Sequence, residues 1–339
     1  MKVLVASHVS EVYAPTYPLL RFLKKNYPRP MCILHPFKAR LVWLNFLKDF
    51  LATLFLSFYH LRKYDVYIGV NCLNCLPGIL IKLVSPRKRV IYYSADYSTK
   101  RFANPFFNRL YLWLDGFCSR RASFCWSVSE RIREVKRSFG VPEEKNLLVP
   151  NGVHLKDIHL SGERIPHSLF YVGHLTKTKG VQQILKALKS LKEYQLFIIG
   201  DGPYRKALEK LAADLGIKKR VFFLGKMSNE EVLEKISRFE IGLAPYTTDE
   251  DYIYYCDPVK VKEYLAAGCP VVVSGLVWIA EEIRKQNCGV VVGDFSKELS
   301  VAVKKIEKNF SQMSQNARNF AVQFDWFEIY RGAFARMGL

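Results

Sequence analysis

Residues 257–275 read D-P-V-K-V-K-E-Y-L-A-A-G-C-P-V-V-V-S-G and hold the groups best suited to chemistry. Pro258 stops an incoming helix and suits the first turn of a new one. The segment 259–267 then reads as a short helix closed by Gly268, and 269–273 as a strand apolar enough to be buried on both faces. A helix that starts at a loop points free N–H groups and a positive dipole end outward, ready for phosphate. Val259 marks that start, and Glu263 falls about one turn further on. An anion site beside a carboxylate that can grip ribose hydroxyls has the chemistry of a nucleotide-sugar site.

Other constellations add to this one. The run 173–180, G-H-L-T-K-T-K-G, follows a predicted strand and opens a helix. Gly173 lets backbone approach a ligand, and Lys179 can neutralise a diphosphate. Gly200-Asp201-Gly202-Pro203 is a turn after the next strand, and Leu224-Gly225-Lys226-Met227 follows another. In the first half Asp96, within Y-Y-S-A-D-Y-S, is the best-placed carboxylate for a general base, and His8 is second. Asp249-Glu250-Asp251 matches a D-x-D metal–diphosphate pattern but reads as a hydrated acidic loop. Cys72 and Cys75 form one C-x-x-C with no second pair, which reads as two packed thiols rather than a zinc or redox centre. None of these groups calls for a metal or a cofactor.

Elements that alternate between strand and helix position these residues. Strands are predicted at 3–7, 31–34, 66–70, 90–93 and 124–128, then at 169–172, 195–199, 221–224, 241–244 and 289–292. Helices intervene, including 15–25, 181–191, 204–215, 229–238, 278–285, 297–309 and 325–337. The pattern predicts an α/β fold with parallel, doubly wound sheets, whose ligands bind beyond the carboxyl ends of the strands. Length favours two domains. A polar linker follows Val149-Pro150-Asn151-Gly152-Val153 as far as about residue 167.

Four of these motifs, in this order, resemble glycosyltransferase family four and its GT-B relatives. They are V-P-N-G-V at 149–153, G-H-L-T-K-T-K-G, G-D-G-P, and the stretch ending E-Y-L-A-A-G-C-P-V. The resemblance implies two Rossmann-like domains facing a cleft. It divides the chain into an acceptor domain at 1–153, a nucleotide-sugar domain at 154–318, and a C-terminal helix at 319–339 that returns to the first domain. Glu263 is then the ribose ligand, and Lys179 holds the donor diphosphate. His174 stands where Arg is usual, Gly202 lies in the G-x-G-P turn, and Lys226 and Met227 lie where relatives read the base. The first Glu of the family signature falls at Tyr255, so Asp257 or Lys260 is expected to take over part of its role. A retaining member needs no separate base, because a leaving phosphate oxygen takes the acceptor proton. The donor expected is a UDP- or GDP-linked sugar.

Composition limits the alternatives. The formal charge is +20, and residues 1–150 carry 24 Lys+Arg against 9 Asp+Glu, or +15. Nucleic acid, an anionic membrane or an anionic substrate could each account for that excess. No recognition-helix or aromatic RNA-binding motif accompanies it, which argues against nucleic acid. The segment 39–61 is apolar, yet Lys48 and Asp49 at its centre oppose a spanning helix. A buried helix and a helix lying in the membrane interface both remain open. No signal peptide is read at the N-terminus, and eight unpatterned cysteines suit a reducing compartment. The expectation is a cytoplasmic protein, peripheral on the inner face of the cell membrane, acting on a saccharide or lipid-linked acceptor. The rival from another class is a nucleotide-sugar epimerase of similar fold, which would turn over donor without acceptor.

Overall fold

The computed structural model describes residues 1–7, 15–34, 42–158, 160 and 163–339, with side chains from residue 47 onward in the helix Val42–Tyr59. His8 lies outside the described residues. The chain divides into two compact units, Met1–Asn151 with Trp326–Leu339, and Gly152–Asp325.

The first unit contains one parallel sheet of β1 (Val3–Ser7), β2 (Met31–Leu34), β3 (Val66–Val70), β4 (Arg89–Ser94), β5 (Phe124–Ser127) and β6 (Asn146–Leu148). Their order is β2-β1-β3-β4-β5-β6. β1 (VLVAS) and β3 (VYIGV) are buried along their whole length, as apolar runs between two helix layers must be. Asn104 and Ser129 cap the helices Pro105–Arg121 and Glu130–Ser138 by accepting first-turn amide protons. Cys72, Cys75, Cys118 and Cys125 are free, buried thiols in one apolar cluster with Tyr67 and Tyr92. The helix Trp326–Arg336 completes the unit. Its Tyr330 hydroxyl donates to the Pro15 carbonyl at 2.9 Å, and Phe334 stacks on Phe22 and meets Trp126 edge-on.

The second unit is again a parallel sheet, of β7 (Ser168–Val172), β8 (Gln195–Ile199), β9 (Val221–Gly225), β10 (Ile241–Ala244), β11 (Val271–Ser274) and β12 (Gly289–Val292). The order is β12-β11-β10-β7-β8-β9. The chain winds outward from β7 to β9, then returns to the other side of β7 and winds outward again from β10 to β12. Loops beyond the carboxyl ends of β7 and β10 therefore leave in opposite directions, at the place where such sheets have their ligand crevice. Separate apolar cores cover the two faces.

The segment expected to leave this unit at 319 stays in it to Asp325. Phe320, Ala321 and Phe324 are buried in its core, and the Val153 amide donates to the Phe324 carbonyl at 2.8 Å. The helix Phe310–Ala321 and the strand β6 are additions to the sequence reading.

Candidate functional site

The crevice between β7 and β10 is built by close backbone packing. Beyond β7 the Gly173 amide donates to the Ile199 carbonyl at 2.9 Å, and the Leu175 amide to the Asp201 carbonyl at 3.0 Å. Gly200 has φ +135°, and a Cβ there would run into the Gly173 carbonyl. Gly180, at φ +74°, would place a Cβ 2.5 Å from the Pro245 carbonyl oxygen after β10. Only glycine serves at these two positions. Gly202 likewise lies against the Leu175 backbone. Thr247 then donates its hydroxyl to the Thr178 carbonyl at 2.8 Å, tying the loop after β10 to the loop after β7.

Against this wall starts the helix Val259–Ala266. Pro258 precedes it, no side chain caps it, and its first turn holds no acid. Its amino end therefore keeps its positive dipole. Lys260 reaches between the strands that open the crevice. Its Nζ lies 4.5 Å from the Tyr171 ring centroid at the end of β7 and 5.0 Å from that of Tyr246 beyond β10. Burial, with the Lys179 charge adding to it, pushes the Lys260 ammonium down to about 7. One turn along, the Glu263 side chain has no hydrogen bond or ion pair among the described residues, and burial pushes its carboxyl up to about 7. The next residue, Tyr264, accepts the Val172 amide proton on its hydroxyl at 2.8 Å and fixes the helix to β7. A half-buried ammonium and a half-buried carboxylate, neither of them neutralised, thus share one helix turn.

Lys179 is committed elsewhere in the crevice wall. Its Nζ donates to Glu250 Oε2 at 2.8 Å and to the Tyr252 hydroxyl at 2.6 Å. Burial works against its charge, but these partners hold the ammonium above its ordinary value. Glu250 is correspondingly held below the usual carboxylate range, because Lys179 and Tyr252 outweigh its own burial. The pairing of Lys179 with Glu250 and Tyr252 escaped the sequence reading because they lie about seventy residues along the chain from it. The acidic run 249–251 thus sends its central carboxylate to a lysine, and Asp249 lies 2.8 Å from the Thr247 hydroxyl, whose one proton it shares with the Thr178 carbonyl. Among the described residues no group of His, Cys, Asp or Glu is arranged to hold a metal.

The remaining expected site residues divide. Val259 and Gly173 lie at the crevice, and His174 is exposed beside them. Lys226 is exposed beyond β9, while Met227 packs partly against the core. Asp257, expected to share the missing role, has buried partners on both carboxylate oxygens. Its side chain is 0% exposed, Lys262 Nζ lies 2.6 Å from Oδ2, and Trp278 Nε1 donates to Oδ1 at 3.0 Å. In the first unit, Asp96 is half-exposed and ion-paired with Arg101 at 2.7 Å.

The two six-stranded parallel sheets with this crevice are those of the GT-B fold. The chain superposes on Anabaena HepE, solved in complex with UDP, with a TM-score of 0.80 over 100% of both chains at 16% identity. Residues 164–321, nearly all of the second unit, match the family described as Glycosyl transferases group 1. The chain is 26% identical over 227 residues to alpha-D-kanosaminyltransferase of Streptomyces kanamyceticus, covering 62% of this chain and 57% of that one. It is 27% identical over 229 residues to the lipopolysaccharide glucosyltransferase WaaG of Escherichia coli K12, covering 60% and 58%. Alignments to such curated relatives thus span little more than half of their length.

Proposed function

We propose that the protein is a glycosyltransferase that moves a sugar from a nucleoside diphosphate to an acceptor hydroxyl. The observation that carries this reading is the Lys260–Glu263 turn. It pairs an un-neutralised cation and a helix amino end with an un-neutralised carboxylate, at the point where the second sheet reverses direction. The cation and the amides suit a diphosphate, and the carboxylate suits the two hydroxyls of a pentose. The group 1 match and the UDP in the HepE complex support the same donor class.

In the reaction the bond from the sugar's anomeric carbon to the β-phosphate oxygen breaks, and the acceptor oxygen bonds to that carbon. Positive charge fixed at the phosphates stabilises the departing nucleoside diphosphate, the largest contribution such a site makes. Lys260 and the first-turn amides supply it at once, and Lys179 joins when Glu250 yields. The course proposed is retaining, with the acceptor proton passing to a phosphate oxygen of the leaving group, so neither Asp96 nor a metal is required. The acceptor proposed is a lipid-linked saccharide in polysaccharide or lipopolysaccharide assembly, met at the cytoplasmic face of a membrane, in keeping with the role WaaG's name gives that relative.

Thermal-shift titration with UDP, GDP and their sugars in EDTA tests the donor class, since a ligand that binds only the native form raises Tm by mass action. A rise with at least one diphosphate, and none with the parent nucleoside, is expected. No rise with any of them contradicts the reading.

Two further results are expected. Glu250→Gln frees Lys179 from a half-exposed ion pair, so diphosphate should bind about 2–5-fold more tightly by calorimetry. Weaker binding would make Glu250 a required part of the site instead. The pH dependence should be bell-shaped and centred near 7, because binding wants Lys260 protonated, which fails above about 7, and Glu263 ionised, which fails below about 7. Lys260→Met should remove the alkaline limb alone, and Glu263→Gln the acid limb alone.

A further inference from the structure

The geometry points to a membrane-docking surface on the first unit, formed by the outward face of the helix Val42–Tyr59 and seated in the headgroup layer of an anionic bilayer. This helix is turned inside out relative to an ordinary surface helix. Its polar residues Asp49, Thr53 and Ser57, one turn apart, are 4%, 1% and 0% exposed. Leu47, Leu51, Phe55 and Phe58 fall on the opposite side and are 51%, 53%, 68% and 58% exposed. The inward stripe is a fixed one, because the Tyr64 hydroxyl donates to the Ser57 carbonyl at 3.1 Å. Water therefore meets a continuous apolar stripe of helical spacing, which is the signature of an interaction face rather than scattered exposure.

Exposed apolar residues also lie on the neighbouring element. The helix Cys72–Val84 packs beside this one, and its last two residues, Leu83 and Val84, are 68% and 67% exposed. Basic residues border both helix ends. Arg62 and Lys63 follow the first helix, Arg87 follows the second, and all three are exposed. Lys48, 70% exposed, projects from within the first helix.

Charge selects the occupant. Residues 1–150 carry the +15 excess, so a second copy docked face to face would set like charges against each other. An anionic bilayer neutralises the same rim while its acyl boundary takes the apolar stripe. No helix among the described residues is long and apolar enough to cross a membrane, so this one lies in the surface plane. The inference deepens the membrane-facing part of the proposed function and uses no donor chemistry.

Sedimentation of the full chain with vesicles of phosphatidylcholine alone, or with a third phosphatidylglycerol, tests it in the absence of nucleotide. Binding to the anionic vesicles is expected, weakening with salt. Phe55→Ser with Phe58→Ser should lower partition about tenfold or more, with Tm unchanged because both rings face solvent. Phe55→Leu with Phe58→Leu should keep most of it. Arg62→Gln with Lys63→Gln should lower partition about tenfold, at low salt only. No binding to anionic vesicles at low salt overturns the proposal, as does a serine variant that binds like the parent. A parent dimer that the serine pair converts to monomer, with vesicle binding unchanged, would assign the face to a second copy. Should transfer to a soluble acceptor proceed while vesicles are ignored, the docking surface fails and the glycosyltransferase reading stands.

Discussion

Glu263→Ala is expected to weaken donor binding about 10–100-fold, the cost of removing a charged acceptor from two hydroxyl donors. The protein should nonetheless remain folded, because among the described residues the carboxylate bonds to nothing. The effect on stability runs the other way. Burial raises this carboxyl to about 7, so between the ordinary carboxylate value and 7 the native state binds more protons than the unfolded one. Stability therefore falls as pH rises through that window, and the penalty is complete above it. Glu263→Gln removes the penalty and should stabilise the protein at pH 8, by on the order of 1–2 kcal/mol given partial solvent access, and by nothing at pH 4. Chemical denaturation at the two pH values measures the stability effect, and calorimetry the binding effect. A residue that is worse for stability and better for ligand is what a binding site produces. A loss of both would make Glu263 a packing residue.

Asp257→Ala is expected to cost about 3–5 kcal/mol of stability, because it leaves the buried Lys262 ammonium without its counter-charge. The lysine is 0% exposed, lies 4.3 Å from the Phe324 ring centroid, and has its ammonium pushed down by burial, with Asp257 opposing that shift. Trp278 would lose its acceptor as well. Replacing both partners, as Asp257→Leu with Lys262→Met, should restore most of the loss, since an apolar pair of similar volume needs no solvation. Urea unfolding of the single and double variants measures the cycle. An Asp257→Ala protein with unchanged stability and abolished turnover would return this carboxylate to a catalytic role.

The sequence reveals most of this architecture for a simple reason. Parallel strands covered on both faces must be runs such as VLVAS, VYIGV and VVVS, and such runs stand out from helical periodicity. The helix start at Val259 was equally plain, because Pro258 and Gly268 mark its limits. The partners of Asp257 are invisible locally. Lys262 reaches it from within the next helix, and Trp278 from beyond β11. Lys179 stands out locally but its partners do not, since only tertiary folding brings Glu250 and Tyr252 to it. The helix Phe310–Ala321 hides behind serine, glutamine and asparagine, which weaken the helical signal, although Met313, Ala317 and Phe320 keep its apolar spacing. The apolar segment near residues 39–61 read as buried or interfacial, and only side-chain exposure shows which of its faces looks outward.

A crystal structure of the protein grown with uridine diphosphate tests the central claim most directly. The account predicts the diphosphate against the first-turn amides of Val259 and Lys260, with the Glu263 carboxylate about 2.7 Å from a ribose hydroxyl. Nucleotide bound outside the β7–β10 crevice, or within it while Glu263 turns away from the pentose, would contradict it.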